Sequence, residues 1–169
     1  MAYQSLYRAY RPQRFSELVG QDHVVNALRT AVRDDRVGHA YLFSGPRGTG
    51  KTTSARILAK ALNCLELGDD GDPCGECENC VAIADGTFFD LIELDAASSG
   101  NIASIQDIIE KTHTGLAPAS RKKVFVIDEV HALGGGSSKT APNALLKTLE
   151  EAPDHVVFVL ATTNPENVL

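Results

Sequence analysis

Residues 45–52 constrain the possible folds of this chain more than any other segment. They read Gly-Pro-Arg-Gly-Thr-Gly-Lys-Thr, and they lie between an apolar run at residues 40–43 and a helical pattern at residues 52–62. Glycines let successive backbone N–H groups turn toward one anion, and the helix that follows adds the positive end of its dipole. The spacing fits the phosphate-binding pattern G-x-x-x-x-G-K-[ST] at every fixed position. It therefore predicts a strand–loop–helix unit that cradles nucleotide phosphates.

The side chains of this loop supply charge and metal ligation in the predicted site. Lys51 places a cation on the β- and γ-phosphates, and the Thr52 hydroxyl is offered to Mg²⁺. The alternative is a glycine-rich turn that fits by chance, but the position between a strand and a helix disfavours it. The residues expected to contact nucleotide are those of the loop and the first helical turn: Gly45, Pro46, Arg47, Gly48, Thr49, Gly50, Lys51, Thr52 and Thr53.

Apolar runs alternate with helical patterns along the rest of the chain. The four runs expected to be strands are residues 40–43, 91–94, 124–127 and 156–160. Each is nearly continuous rather than alternating, which is typical of strands buried on both faces of a parallel sheet. The helical patterns cover residues 23–32, 52–62, 102–109 and 143–151. This order predicts an α/β doubly wound domain.

Two acids follow the third apolar run directly. Asp128 and Glu129 would stand at the carboxyl end of a buried strand, the end that faces the ligand crevice in an open α/β sheet. Asp128 is placed to hold Mg²⁺, and Glu129 is placed to polarise a water for in-line attack on the γ-phosphate. Alone, the pair would indicate solvated acids after a strand, but the phosphate loop earlier in the chain favours a joint ATPase site.

The fourth apolar run also ends in polar residues. Thr163 is the first candidate, and Asn164 the second, for a side chain that reaches the γ-phosphate or the attacking water from a neighbouring strand. The alternative is that the hydroxyls here only satisfy backbone groups at the strand end. The candidate catalytic residues are therefore Glu129, Lys51 and Thr163.

All four cysteines, Cys64, Cys74, Cys77 and Cys80, fall within one short stretch. Their C-x9-C-x2-C-x2-C spacing lets the thiolates converge on one ion, and four thiolates with no open position predict structural zinc. Such an ion can order the surrounding residues 66–86, which have little helical or strand pattern of their own. The alternatives left open are an iron–sulfur centre, free buried cysteines and a redox pair.

Composition excludes several classes of protein. The 169 residues include 16 lysines and arginines and 22 acids, for a formal net charge of −6. This acidity argues against a free-standing nucleic-acid binder. No apolar run approaches the ~20 residues that span a bilayer, and no secretory signal follows the first Met. We therefore expect a cytoplasmic protein, in which the reducing environment favours a metal site over disulfides.

Together these motifs resemble the N-terminal part of the gamma/tau subunit family of bacterial DNA polymerase III. That family provides the ATPase motor of the sliding-clamp loader and belongs to the AAA+ superfamily. The N-terminal segment together with the cysteine insertion is highly specific to this family, since other AAA+ proteins share the phosphate loop but lack the insertion. The stretches that carry the resemblance, besides the cysteines, are residues 7–12, 15–21, 41–53, 93–98, 126–131, 143–151 and 161–163.

The resemblance implies a role for each matching residue. Lys51 and Thr52 hold phosphates and Mg²⁺. Asp128 and Glu129 serve as the Walker B acids, and Thr163 serves as the first sensor. The four cysteines bind zinc. The residues expected to wrap the adenine and ribose are Tyr7, Arg8, Arg11, Pro12, Val19 and Gly20.

The resemblance also implies cofactors and partners. The cofactors are ATP, Mg²⁺ and Zn²⁺. The partners are other clamp-loader subunits in a hetero-oligomeric ring, the sliding clamp, and primed DNA reached through the assembled ring, with no membrane involved. In such motors ATP binding assembles the ring that opens the clamp, and primed DNA then triggers hydrolysis and release.

Two departures from the family pattern qualify this picture. Residues 134–142 form a glycine-rich loop without the aromatic residue that the family usually has there. The chain also ends at Leu169, before the family's Ser-Arg-Cys motif, whose arginine reaches a neighbouring subunit. We therefore expect one ATP-binding core at residues 1–169, with a zinc module inserted at residues 64–86 and without the C-terminal strand and helical lid.

Two functions follow from these patterns. The first is the ATP-hydrolysing motor core of the clamp loader. The second is a non-hydrolysing nucleotide-binding scaffold that contacts clamp-loader partners, because a missing arginine finger removes a large part of the rate. A zinc-dependent nucleic-acid binder is disfavoured because no Lys or Arg lies between Lys60 and Lys111. A P-loop kinase is disfavoured because Asp128 and Glu129 make a hydrolase site.

Overall fold

Four parallel strands form the sheet in the part of the chain that the structure describes. The computed structural model describes residues 10–99, 101–134 and 140–168. The strands in that part of the chain are β1 (Ala40–Ser44), β2 (Leu91–Asp95), β3 (Lys123–Asp128) and β4 (Val156–Thr162). Their order in the sheet is β1-β4-β3-β2. All three strand pairs are parallel, so the predicted α/β fold is confirmed.

The two central strands are more deeply buried than the two outer ones. Most residues of β3 and β4 are buried, and the rings of Phe125 and Phe158 stack with their centroids 5.2 Å apart. By contrast, β1 and β2 contain no fully buried residue, and Leu42 is 51% exposed. The expectation that all four strands are buried on both faces is therefore wrong for β1 and β2. Each lies at an edge of the described sheet, where only one neighbouring strand shields it.

Helices account for most of the remaining regular structure. The described α-helices are α1 (Asp22–Arg33), α2 (Lys51–Asn63), α3 (Glu78–Asp85), α4 (Ala96–Ser99), α5 (Ile102–Thr112) and α6 (Thr140–Glu150). Short 3₁₀ turns lie at Phe15–Glu17, Val130–Gly134 and Pro165–Asn167. The four predicted helices are confirmed as α1, α2, α5 and α6, with modest differences at their ends. Among the described helices, none combines the length and the apolar character that crossing a bilayer requires.

Two hydrophobic layers, one on each face, hold the sheet between the helices. Successive residues of β3 point to opposite faces. Val124 and Val126 therefore join the layer that contains the buried residues of α1 and α2, while Phe125 joins the layer that contains those of α5. Phe15 is fully buried in the first layer and anchors the N-terminal 3₁₀ turn there. Full burial of a side chain of this kind stabilises the fold by about 1.5–3 kcal/mol.

Two described helices lie where the sequence predicts none: the single turn α4 and the longer α3. Residues 66–86 were expected to have little helical pattern, and that expectation is wrong for Glu78–Asp85. Cys80 and Ile83 give α3 a buried side only one turn long, and Gly86 ends the helix with φ of +75°. An eight-residue helix is unstable alone, so its packing against α2 stabilises it rather than a periodic sequence pattern.

A buried ion pair joins the start of β3 to Asp90, the residue before β2, and it lies beside the end of α5. Lys123 Nζ lies 3.5 Å from Asp90 Oδ1, and the two side chains are 1% and 0% exposed. A cation at this position complements the negative end of the helix dipole. The ammonium donates to the backbone carbonyls of Lys111, Thr114 and Gly115.

Candidate nucleotide and metal sites

The phosphate loop turns sharply between β1 and α2. Gly48 and Gly50 have φ values of +84° and +86°, a left-handed conformation that glycine adopts without steric cost. Gly50 immediately precedes α2, so the free N–H groups of the first helical turn open toward the loop. The predicted strand–loop–helix unit is therefore present, and its helix N-terminus suits an anion.

Lys51 folds back over its own loop. Its Nζ donates hydrogen bonds to the backbone carbonyl of Gly45 at 2.8 Å and to that of Pro46 at 2.9 Å. The Thr49 hydroxyl donates to the same Pro46 carbonyl at 2.9 Å. The loop thus holds a cation against its backbone, and phosphate oxygens bind such a cation more strongly than neutral carbonyls do.

The carboxyl end of β3 meets the first turn of α2. The Thr52 hydroxyl donates a hydrogen bond to Asp128 Oδ2 at 2.7 Å, and the Glu129 backbone N–H donates to Asp128 Oδ1 at 2.9 Å. A hydroxyl and a carboxylate are oxygen ligands of the kind that Mg²⁺ prefers beside nucleotide phosphates. Thr52 and Asp128 are therefore the residues that would hold this ion.

Glu129 has an unusual backbone conformation beside the end of β4. Its φ is +50°, which is uncommon for a residue other than glycine. Its Oε2 accepts hydrogen bonds from the Thr163 hydroxyl at 2.8 Å and from the Thr163 backbone N–H at 3.1 Å. Burial disfavours the charged carboxylate, but the two hydrogen bonds from Thr163, together with the electrostatic attraction of His131 and Lys51, outweigh burial and lower the pKa of Glu129 below its ordinary value. The carboxylate is therefore ionised at neutral pH.

Two nitrogen-bearing side chains flank the Glu129 carboxylate. Arg47 Nε lies 3.8 Å from Glu129 Oε1, on a side chain that is 90% exposed. His131 Nδ1 lies 3.4 Å from Glu129 Oε2 and 2.9 Å from the Thr162 hydroxyl oxygen. His131 therefore bridges the ends of β3 and β4. It is absent from the residues predicted by sequence, and its only local signal is its position three residues after Asp128.

The two residues proposed for the end of β4 behave differently. The Thr163 side chain reaches Glu129, as described above. Asn164 instead donates its backbone N–H to the Thr162 hydroxyl at 3.0 Å, so it serves the turn that follows the strand. Thr163 is thus the one of the two whose side chain contacts Glu129, and its role as a sensor stays a prediction.

Two cavities of about 350 Å³ each border the phosphate loop, and they meet at Lys51. One of the two, which we call the second cavity, is lined by Gly45, Pro46 and Thr49 together with residues of β1 and α1. Spaces of this size are typical of small-molecule sites. The first cavity is lined by Arg11, Arg47, Gly48, Gly50, Lys51, Thr52, Thr53, Asp128 and Glu129. The nine predicted loop contacts are thus distributed between the two cavities.

The predicted adenine and ribose contacts are only partly gathered at these cavities. Arg11 lines the first cavity. Val19 is 94% exposed, and a Cβ added at Gly20 would meet no atom within 4 Å. Pro12 is half-buried and borders neither cavity. Three predictions lie outside the described residues: Tyr7, Arg8 and residues 135–139 of the glycine-rich loop.

The four cysteines converge on one point beside the end of α2. Cys64 directly follows α2, Cys74 lies in the connecting loop, and Cys77 and Cys80 belong to the start of α3. Their sulfur atoms all lie within 4.8 Å of one another. All four are free thiols, and Cys64 and Cys80 are fully buried. The predicted convergence is therefore confirmed.

The chemistry of this donor set fits zinc. Four sulfur ligands complete a tetrahedral shell, which is typical of structural zinc. The Cys74 backbone N–H donates to Cys64 Sγ and the Cys77 backbone N–H to Cys74 Sγ, both at 3.3 Å, and such bonds stabilise thiolate charge. For Cys77 burial opposes ionisation, but hydrogen bonds from the backbone of Leu65 and Cys80 lower its pKa to about 7. Burial raises the pKa of Cys80, so a metal would have to displace that proton.

A sequence model of the family described as DNA polymerase III, delta subunit matches residues 20–169. The chain belongs to this family. It is 51% identical to DNA polymerase III subunit tau of Bacillus subtilis, over 99% of this chain and 29% of that protein. It is 52% identical to the tau subunit of Escherichia coli, over 99% of this chain and 25% of that protein. The predicted resemblance to the gamma/tau subunits is confirmed, and the chain spans between a quarter and a third of their length.

Solved structures show the same fold as this member of the DNA polymerase III family. A RuvB protein from Thermotoga maritima superposes with a TM-score of 0.57 at 21% identity, covering 95% of this chain and 44% of that chain. The AAA domain of FIGL-1 in complex with ADP gives a TM-score of 0.55 at 22% identity, covering 92% and 50%. At these identities the likeness concerns the fold alone, and it supports the predicted α/β fold with its parallel sheet.

In this family member, two buried asparagines tie the cysteine module to the core. Asn79 Nδ2 donates to the backbone carbonyls of Asn63 and Ala119, both at 2.8 Å. The Asn63 side-chain oxygen accepts the backbone N–H groups of Arg121 and Lys122, both at 2.9 Å. These bonds join α2, α3 and the segment before β3. Sequence reasoning misses both asparagines because their partners lie far along the chain.

Proposed function

We propose that this chain is the ATP-binding and ATP-hydrolysing core of a DNA polymerase III clamp loader, which loads the sliding clamp onto primed DNA in replication. One observation carries the proposal. The Thr52–Asp128 pair and the Glu129–Thr163 pair lie together at the carboxyl ends of the strands, next to the phosphate loop. An open parallel sheet binds its ligand at that edge. Family membership and the tau relatives support replication as the setting.

Each residue has one task in the proposed reaction. Lys51 exchanges its loop carbonyls for phosphate oxygens. Thr52 and Asp128 hold Mg²⁺, which neutralises charge on the phosphates when it is bound. Glu129, already ionised, orients a water and draws a proton from it as the water attacks the γ-phosphate in line. Thr163 holds the Glu129 carboxylate in place during this step.

The proposal also assigns partners and a location. Other clamp-loader subunits complete a hetero-oligomeric ring, and a neighbouring subunit supplies an arginine to the phosphates. The sliding clamp and primed DNA bind the assembled ring, and the four cysteines hold a structural zinc ion. A reducing cytoplasm, in which thiols remain available to a metal, is the matching compartment.

Steady-state ATP hydrolysis by this chain and by its Glu129→Gln variant tests the proposal. We expect slow turnover by the unmodified chain and a loss of at least ~100-fold in the variant, since a general base contributes that much or more. ATP–Mg²⁺ binding should be retained in the variant. Glu151→Gln changes an exposed glutamate after α6 and is the matched control, with turnover unchanged. A chain that binds no ATP–Mg²⁺ would reject the proposal.

The second candidate function is a non-hydrolysing nucleotide-binding scaffold for clamp-loader partners. The exposure of Arg47, the cation near Glu129, favours it, because a solvent-exposed arginine is poorly fixed for stabilising a transition state. ATP–Mg²⁺ binding without turnover above the Glu129→Gln control would support this scaffold for the chain alone. Turnover that appears only when partner subunits are added would show that ATP hydrolysis requires the assembled motor.

A further inference from the structure

The cysteine module holds the stretch of chain that leads to the nucleotide site. We call residues 11–17 the N-terminal arm. Asp72, which is 8% exposed, accepts hydrogen bonds from the backbone N–H groups of Phe15 at 2.7 Å and Ser16 at 3.2 Å. Hydrogen bonds to an ionised carboxylate are stronger than bonds between neutral groups. Asp72 therefore fixes the backbone of the N-terminal arm against the module.

Two side chains reinforce this attachment. The Arg14 guanidinium donates to the backbone carbonyl of Cys74. Lys60, which is 3% exposed, donates from its Nζ to Gln13 Oε1. Lys60 belongs to α2 and lies one helical turn before Cys64. The N-terminal arm is thus attached to the module through Asp72 and Cys74, and to the helix that carries Cys64.

The other end of the N-terminal arm borders the nucleotide site. Arg11 lines the cavity that also contains Asp128 and Glu129. The Gln13 side-chain amide donates to the Arg11 backbone carbonyl at 2.9 Å. Gln13, which accepts the hydrogen bond from Lys60, therefore also positions Arg11 at the cavity. Hydrogen bonds, together with the backbone of residues 11–16, thus connect the cysteine module to the candidate ATP site.

The shape of the module depends on its metal ligands more than on apolar packing. Apart from Pro73, no apolar side chain of residues 65–78 is fully buried. A loop with so little buried apolar surface gains its order from metal coordination. Asp72 and the Cys74 carbonyl lie inside this loop, and Cys74 is itself a ligand candidate. Metal coordination therefore adds to the contacts that hold the N-terminal arm, which also include the Arg29–Asp72 ion pair at 3.9 Å and the burial of Phe15.

We propose that metal occupancy of the four-cysteine cluster controls nucleotide affinity by fixing the N-terminal arm. The bound metal sets the positions of Asp72 and Cys74, which hold residues 14–16, and Gln13 then holds Arg11 at the cavity. This inference rests on the proposed function, since it requires that nucleotide occupies that cavity. Coupling between two binding sites is reciprocal, so bound nucleotide increases metal affinity by the same factor.

Calorimetric titration of ATP–Mg²⁺ into the zinc-loaded and the zinc-free chain tests the proposal. We expect zinc removal to weaken nucleotide binding about tenfold, within the range of coupled sites. At full zinc load, Gln13→Ala should bind ATP–Mg²⁺ several-fold more weakly, because the link to Arg11 is cut while all four cysteines remain. Gln106→Ala removes an exposed glutamine of α5 and should bind as the unmodified chain does.

The variants keep the test decisive even if the zinc-free chain unfolds. Zinc content, measured after gel filtration, should be the same in Gln13→Ala and Gln106→Ala. Equal nucleotide affinity in these two zinc-loaded variants would overturn the proposal. Equal affinity of the zinc-loaded and zinc-free chain, with the fold retained, would overturn it as well.

Amide hydrogen exchange separates this inference from the proposed function. The Phe15 and Ser16 N–H groups donate to Asp72 in the protein without nucleotide, so zinc removal should accelerate their exchange there. Faster exchange in a chain that binds no ATP–Mg²⁺ would reject the proposed function and support the metal-dependent position of the N-terminal arm. Unchanged exchange in a folded zinc-free chain would overturn the inference itself.

Discussion

The Thr163 hydroxyl lies 2.8 Å from Glu129 Oε2 and donates a hydrogen bond to it. The backbone N–H of the same threonine reaches that oxygen at 3.1 Å. One residue at the end of β4 therefore contributes two donors to a carboxylate at the end of β3. Thr163 therefore orients Glu129 and helps to lower its pKa.

Replacing Thr163 by valine should raise the pKa of Glu129. The valine removes the side-chain hydrogen bond that favours the carboxylate, while burial, which disfavours it, remains. The acid limb of the pH profile for ATP hydrolysis should therefore move to higher pH. Thr163→Ser keeps a hydroxyl and should keep the original limb. A valine variant with an unmoved limb would show that this hydrogen bond does not set the charge of Glu129.

The same pKa shift contributes to stability with a defined sign. A carboxyl whose pKa is lowered in the folded state stabilises the fold above its unfolded pKa, and the contribution disappears as the pH falls through the folded value. The free energy of unfolding lost in Thr163→Val should thus be larger at neutral pH than in strong acid. Chemical denaturation at both pH values measures the difference, and an equal loss at both would contradict it.

The strands and the phosphate loop could be predicted because each is a local pattern. Residues 45–52 specify a turn by their glycines, and four apolar residues before Asp128 specify a buried strand with acids at its end. In a parallel sheet, both features lie at the carboxyl edge. The meeting of Thr52 with Asp128 therefore follows from local patterns plus topology.

Contacts between distant segments could not be predicted in this way. Asp72 and Phe15 are 57 residues apart, and Asn63 and Lys122 are 59 apart. A single acid or amide in a loop has no sequence signature for its partner, because the contact depends on how the completed elements pack. The helix α3 was missed for a related reason, since α2 rather than a periodic pattern supports it.

Lys51→Ala should weaken ATP–Mg²⁺ binding by roughly 10- to 100-fold, since hydrogen bonds to charged groups contribute about 1.5–3 kcal/mol. The fold should survive, because Lys51 is only half-buried and its partners are loop carbonyls. Nucleotide titration together with thermal unfolding measures both effects. Lys122→Ala removes a lysine that bonds the Asp154 carbonyl away from the loop, and it serves as the control. Unchanged affinity in Lys51→Ala would disprove the site assignment.

Chelation of the metal should unravel residues 66–86 before the rest of the domain. The strand pairs and the two hydrophobic layers involve no cysteine ligand, whereas the module relies on coordination. Hydrogen exchange should therefore rise first in α3 and remain low in α2 and β3, and zinc addition should reverse the change. Loss of the whole fold in one step would instead show that the Asn63 and Asn79 hydrogen bonds make the module part of the core.

Lys123→Met should lower the free energy of unfolding by about 3–5 kcal/mol, because it leaves the Asp90 carboxylate buried without a cation. Adding Asp90→Asn to this variant should recover part of the loss by removing the unpaired charge. Urea denaturation of both variants measures the effect, and nucleotide binding should not change. If the free energy of unfolding of Lys123→Met lay within about 1 kcal/mol of that of the unmodified protein, the result would contradict a stabilising role for the pair.

The Gly45 and Pro46 carbonyls of the loop accept hydrogen bonds from Lys51 at the place where a phosphate would bind this ammonium. Capture of a phosphate is then a substitution, in which ionic contacts replace neutral ones, rather than a simple addition. The loop is curved in advance, so little backbone freedom is lost when the nucleotide arrives. The reverse exchange assists departure of the product, because the ammonium has its carbonyl partners to return to. In the proposed reaction, Lys51 thus binds phosphate when the nucleotide arrives and the loop carbonyls when the product leaves.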